Sequence, residues 1–145
     1  MSATADHAEE RTNPAARLGF EPGQVVQEIG YDDDVEQELR KGIEAATGQE
    51  IVDEDYDDVA DVVLLWFRDE DGDLTDALVD SIGLIDEGGV VWLLTPKTGR
   101  DGYVEPSDIN EAAQTAGLSQ TRSINAGKDW TGSRLVTPKA AKSKR

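Results

Sequence analysis

Two stretches of this chain are apolar almost throughout: Ala60-Asp-Val-Val-Leu-Leu-Trp-Phe67, interrupted only at its second residue, and Val90-Val-Trp-Leu-Leu94. A strand with one wet face alternates apolar and polar side chains. A run that does not alternate must be covered on both faces, which is the situation of a central strand in a parallel sheet. Such a sheet needs helices above and below it, and the remaining sequence supplies them.

Three helical stripes are legible. Val35, Leu39 and Ile43 fall four residues apart, with Ala45 and Ala46 beside them, Asp33 and Glu36 placed to form a capping box, and Gly48 as a stop. Leu74, Ala77, Leu78, Ser81 and Ile82 repeat at helical spacing behind a capping Asp73, and Gly88-Gly89 is read as the closing turn. Glu105-Pro106 opens a third helix whose buried stripe is Ile109, Ala112, Ala113 and Ala116, ended by Gly117. Short strands are expected at 24–29 and 50–52. Two more, at 118–125 and 131–137, are joined by the hairpin Ala126-Gly-Lys-Asp-Trp130. Strands alternating with helices predict a single three-layer, Rossmann-like α/β domain, mostly parallel with an antiparallel closing strand. The domain is expected over 18–138. Residues 1–17 lack apolar anchors and are expected to be a disordered arm, and 139–145 a basic disordered tail.

Charge and composition remove several chemistries. There are 31 acidic and 14 basic side chains, for a net charge of −17, and the excess is localised. Residues 21–76 hold twenty acids and three bases, whereas residues 77–145 hold eight acids and nine bases. An acidic surface of this density repels phosphate backbones and anionic lipid, so nucleic-acid and membrane partners are not expected. Without cysteine there are no disulfides or thiolate sites, and the one histidine, His7, lies in the arm. No segment approaches the length of a membrane span and no secretory leader is legible, so a cytoplasmic location is expected. The loop Asp69-Glu-Asp-Gly-Asp-Leu74 places acids near calcium-loop positions but lacks both end ligands, and is read as a strand-to-helix turn with no metal.

The order of these pieces resembles the class I S-adenosylmethionine-dependent methyltransferases. The likeness is carried by Tyr56-Asp-Asp-Val-Ala-Asp-Val-Val-Leu-Leu-Trp66, by Glu87-Gly-Gly-Val-Val-Trp-Leu-Leu-Thr-Pro96, by Ala112-Ala-Gln-Thr-Ala-Gly-Leu118 and by the closing strand pair. Over 18–138 the chain is also similar to a family of short acidic actinobacterial proteins of unknown function. The resemblance implies a shortened methyltransferase-like sheet with strand order 2-1-4-5-7-6 in that family's labels. It also implies an acid and spaced glycines after the first strand, where the cofactor approaches bare backbone. The corresponding stretch here, Glu28-Ile-Gly-Tyr-Asp-Asp-Asp34, keeps Glu28 and Gly30 but sets Tyr31 and three carboxylates where glycines belong. Asp53 or Glu54 stands where a ribose would be met, and only eight positions separate Val52 from Ala60, too few for the adenine-contacting strand and helix. No bound cofactor is therefore expected.

Open α/β sheets bind ligands at the carboxyl ends of their strands. The candidate cleft there comprises Glu28, Gly30, Thr95, Lys97, Arg100, Tyr103, Lys128 and Trp130, able to cradle an anion or a peptide segment. The competing reading packs Trp130 on the sheet, leaves the cations to screen the acidic half, and makes Glu28 a satisfied, partly buried acid. No serine has a histidine partner and no phosphate-binding loop occurs, so no catalytic residue is assigned. The expected function is a non-catalytic interaction or regulatory module that meets another protein through its acidic half or basic tail. The alternative is a small-molecule-binding protein for a nucleotide or an S-adenosylmethionine-like ligand, or a weak transferase.

Overall fold

The computed structural model describes residues 18–137; the expected arm and basic tail lie outside the described residues. The elements are β1 (Val26–Ile29), α1 (Gln37–Thr47), β2 (Ala60–Trp66), α2 (Leu74–Ile82), β3 (Ile85–Pro96), α3 (Pro106–Ala116), β4 (Ser119–Asn125) and β5 (Trp130–Val136). They build a five-stranded sheet in the order β1-β2-β3-β5-β4. The two apolar runs are its centre: Val62 to Trp66 of β2 lie in parallel register with Val90 to Leu94 of β3. Parallel pairing extends to β1, and β5 runs antiparallel to both of its neighbours.

Both faces of β2 are dry, as an unbroken apolar run demands. Val62, Leu64 and Trp66 pack with Leu39 and Ile43 of α1 and with Leu18 and Phe20. Val63, Leu65 and Phe67 pack with Leu74 and Leu78 of α2 and with Ile109, Ala112 and Ala113 of α3. One helix therefore covers one face and two cover the other, giving the three layers. Two helix ends follow their sequence signals: the Asp73 carboxylate accepts from the Thr75 amide at 3.0 Å, and Gly117 ends α3 at a φ of 87°.

Three local expectations are corrected. The second strand, expected at 50–52, is reduced to a single bridge between Val52 and Gln27. It lies outside β1, where the expected order places it, but the chain leaves the edge because the Gln27 amide holds the carbonyls of Asp53 and Tyr56 at 3.1 and 3.0 Å. Gly88-Gly89 does not close a turn. Both lie inside β3, where a bulge sets one residue of β2, Asp61, against four of β3 between the pairs Ala60–Ile85 and Val62–Val90. A β-carbon on Gly89 would come within 2.7 Å of the Ile85 β-carbon, so the bulge closes only on glycine. Finally, α1 starts at Gln37 with no side-chain cap, later than the Asp33–Glu36 box implies. Residues 32–35 turn instead, with the Val35 amide on the Asp32 carbonyl at 3.3 Å, which still buries Val35 against the α1 face.

Leu64 and Leu65 are adjacent in sequence and buried in opposite layers. Replacing either by Ser is therefore expected to cost at least the 2–5 kcal/mol of a large-to-small core change, roughly equally for both. Denaturant midpoints measured side by side check this, since a sheet with one wet face would tolerate one of the two.

Candidate functional site

The carboxyl ends of β1 and β2 meet at Gly30. Its φ is 84°, and a β-carbon there would collide with the Trp66 carbonyl oxygen, so the two strand ends are already in backbone contact. Over this seam lies Arg68, two residues past β2 and 7% exposed. All three nitrogens of its guanidinium donate. Nε and Nη2 hold the two oxygens of the Asp34 carboxylate at 3.0 and 2.5 Å. Nη1 donates to the Gly30 carbonyl at 2.9 Å, to the Trp66 carbonyl at 3.3 Å and to Asp71 at 3.2 Å. The guanidinium carbon lies 5.3 Å from the centre of the Trp130 ring, within cation–π range. Gly102 packs against the side-chain stem, which a β-carbon would crowd at 2.9 Å.

These contacts set the electrostatics. Hydrogen bonding from Arg68 is the main cause that holds the Asp34 carboxyl below its ordinary 3.8. Burial works against the charge of Arg68, yet the hydrogen bonds and charges of Asp34 and Asp71 outweigh it, and the guanidinium is held more firmly protonated than usual.

Beneath the seam lies a second ion pair. Glu28, 5% exposed, accepts from Arg40 Nε at 2.7 Å, from Arg40 Nη2 at 2.9 Å and from the Trp66 indole N–H at 2.9 Å. Its oxygens are occupied by donors on α1 and β2. The hydrogen bond to Glu28 is the first cause raising the pKa of Arg40. The Arg40 guanidinium also lies 4.8 Å from the centre of the half-exposed Tyr31 ring.

The structure divides the sequence-selected cleft into three groups. Glu28 and Gly30 belong to the sealed seam. Trp130 joins them from β5: it packs edge-to-face on Trp66 with centroids 4.9 Å apart and donates its indole N–H to the Asp34 carbonyl at 3.0 Å. Arg100 lies at an open hollow of about 410 Å³, with Asp34, Pro96, Asp101, Asp129 and Trp130 around it, and pairs with Asp129 at 3.3 Å. Thr95 and Tyr103 line a smaller hollow, about 120 Å³, with Ile109 of α3 and Ser123 and Ser133 of the closing strands. Lys97 is half-buried, with its amide on the Asp129 carbonyl, and Lys128 is an exposed hairpin residue. Asp69 and Glu70 are exposed in a short 3₁₀ turn, while Asp71 and Asp73 serve Arg68 and the start of α2.

Arg68 and Asp34 organise this end of the molecule, and neither was selected from the sequence. Arg68 carried one signal: it is the only basic residue between Lys41 and Lys97, set directly after a doubly buried strand. Asp34, one of three consecutive aspartates, carried none.

The sheet order and the helix layers define a Rossmann-like α/β domain whose fold is similar to that of solved methyltransferases. The pyocyanin biosynthetic protein PhzM superimposes with a TM-score of 0.64 at 11% identity, covering 91% of this chain and 61% of that one, so the chain spans about three fifths of PhzM. A methyltransferase from Pyrococcus furiosus gives 0.51 at 14% identity, covering 88% and 81%. The chain itself belongs to a family of proteins of unknown function, DUF3052, which matches residues 15–139. Within reach of that family is the uncharacterized protein Rv2239c of Mycobacterium tuberculosis, 53% identical over 141 residues, covering 97% of this chain and 87% of the relative.

The two ion pairs make separable predictions. Arg40→Met leaves Glu28 buried with one donor, and should lose about 3–5 kcal/mol; the double variant Glu28→Gln, Arg40→Met should recover part of that loss, measured by urea unfolding. Because the folded carboxyl of Asp34 titrates below its ordinary 3.8, its contribution is complete above that value and disappears as pH falls through the lower, folded one. Asp34→Asn should therefore flatten the decline of stability below about pH 4 while changing little of the slope above it.

Proposed function

We propose that this chain is a non-catalytic interaction or regulatory module that docks a basic segment of a protein partner on its acidic face. The carrying observation is the fate of the three cations among residues 21–76. Arg40 is turned onto Glu28 and Arg68 onto Asp34 and Asp71, which leaves Lys41 as the cation displayed in a region of twenty acids. Its side chain is 73% exposed and 3.9 Å from Glu38. Asp32, Asp33, Asp53, Glu54, Asp55, Asp57, Asp58, Asp69 and Glu70 all face solvent. A field of one sign steers an oppositely charged partner and turns away like-charged polymers, which favours a protein over a nucleic acid or an anionic membrane. No helix of the described residues is long and apolar enough to cross a membrane, and a cytoplasmic location belongs to the same proposal.

The fold's usual cofactor does not suit these residues. The crystal structure of a Synechocystis magnesium protoporphyrin IX methyltransferase, similar here at a TM-score of 0.50, holds S-adenosylmethionine. In this chain the first strand's end is pressed against the Trp66 carbonyl, Arg68 fills the space above it, and three aspartates line the approach. A ligand bearing its own carboxylate meets both a steric and an electrostatic obstacle there.

Calorimetry with two probes tests the reading. A lysine-rich decapeptide is expected to bind with an affinity that falls steeply as salt rises, because exposed charges are screened beyond about 10 Å at 0.1 M. S-adenosylmethionine at millimolar concentration is expected to give no binding heat, and a micromolar dissociation constant for it would overturn the non-catalytic assignment. A second reading, a small-molecule-binding protein, is favoured by the 410 Å³ hollow beside Arg100. It predicts that a nucleotide panel raises the melting temperature in proportion to RT ln(1 + [L]/Kd).

A further inference from the structure

Arg68 is built as a carboxylate receptor, and the carboxylate it holds is the chain's own. Its side chain is 9% exposed, and three of its hydrogen bonds run to groups other than Asp34: the carbonyls of Gly30 and Trp66 and the carboxylate of Asp71. Its backbone N–H also reaches Asp71, at 2.9 Å. The orientation of the guanidinium is thus fixed without Asp34, and the Nε–Nη2 edge is presented as a preformed fork. What fills the fork differs in character from what holds it. The Asp34 side chain is 54% exposed, it belongs to the turn at 32–35 that follows Gly30, and it forms part of the wall of the 410 Å³ hollow. A buried receptor occupied by a half-exposed, loop-borne carboxylate has a route by which that carboxylate can be exchanged.

We infer that Arg68 is the floor of an oxyanion site, that Asp34 is its internal ligand, and that the site takes a small carboxylate arriving through the hollow when Asp34 is withdrawn. Tethering gives Asp34 an effective concentration in the millimolar range or above, so it excludes simple acids from the intact protein. Once it is gone, a largely desolvated guanidinium has only Asp71 opposite it, and the unmet charge draws in an anion. The planar, two-oxygen geometry favours carboxylate over a spherical ion such as chloride.

Chemical rescue tests the assignment. Asp34→Ala is melted in sodium acetate and in sodium chloride of equal ionic strength, beside the wild type and the double variant Asp34→Ala, Arg68→Met. Acetate is expected to raise the melting temperature of Asp34→Ala saturably, by about 2–6 °C over chloride, with no such excess in the wild type or the double variant. An acetate effect equal in Asp34→Ala and the wild type, or equal in the single and double variants, overturns the inference. Should Asp34→Ala fail to fold, Asp34→Ser keeps a turn-forming polar side chain that is too short to fill the fork. Its Arg68 Nε–H resonance is then followed by NMR during acetate titration: a saturable shift supports the site, and an unmoved resonance overturns it.

Discussion

Everything at the carboxyl end of this sheet depends on one desolvated guanidinium. Parallel strands end with their last carbonyls pointing out of the ladder, and in β1 and β2 those ends are forced together by the contact of Gly30 with Trp66. Arg68 satisfies both carbonyls at once, and its remaining donors gather the turn at 32–35 through Asp34 and the 3₁₀ turn Asp69–Asp71 through Asp71. Trp130 closes over the guanidinium and fixes the Asp34 backbone through its indole N–H. Three stretches of the chain, at 30–35, 66–71 and Trp130, therefore share one cation. Its retention in a mostly buried place is possible because each of its three nitrogens has at least one acceptor and two carboxylates face it, the condition under which a buried charge is tolerated at all.

That internal use of arginine also shapes the exterior. Arg40 and Arg68 would have moderated the acidic half had they stayed in solvent; instead each is committed to carboxylates at the seam. Segregation of charge between the two halves of the chain is thus sharpened in three dimensions, because two of the three cations of residues 21–76 are withdrawn while most of their acids remain outside. The same interaction closes a crevice and leaves a surface of one sign beside it. Structure at the site and electrostatics of the face are consequences of the same placement.

How much of this the sequence disclosed follows from which forces act locally. Apolar runs report burial on both faces directly, so β2, β3 and their parallel pairing were legible, as were the helix stripes and the Asp73 cap, while the order of the five strands that form was implied by the methyltransferase resemblance. The corrected features are those decided by distant contacts. Asp33 and Glu36 have the spacing of a capping box, but neighbouring Asp34 is drawn to a residue 34 positions away, and the chain turns before α1 can begin. Gly88 and Gly89 have the composition of a turn but serve a bulge, because the β3 segment continues past them to meet Ala60. In the candidate cleft, residue types on strand-end loops were chosen for their charge, and the fold sends them to three different places. Only Glu28, Gly30 and Trp130 meet Arg68's surroundings.

The two ion pairs at the seam also explain why one end of this fold can be altered without losing the rest. Glu28 and Arg40 join β1 to α1, with the Glu28 side chain 6% exposed and three donors fixed on it, whereas the Arg40 side chain keeps 22% of its surface in solvent. Arg68 and Asp34 lie above them, outside the two apolar clusters on which folding relies. A change in the upper pair alters what the crevice admits, whereas a change in the lower pair alters whether β1 and α1 stay together. Likeness to methyltransferases at 11–15% identity is then intelligible as a shared scaffold whose strand-end chemistry is carried by separate residues. In this chain Arg68, Asp34 and Asp71 tie the strand ends and their loops together, and Asp34 is the more exposed of the two carboxylates that Arg68 holds.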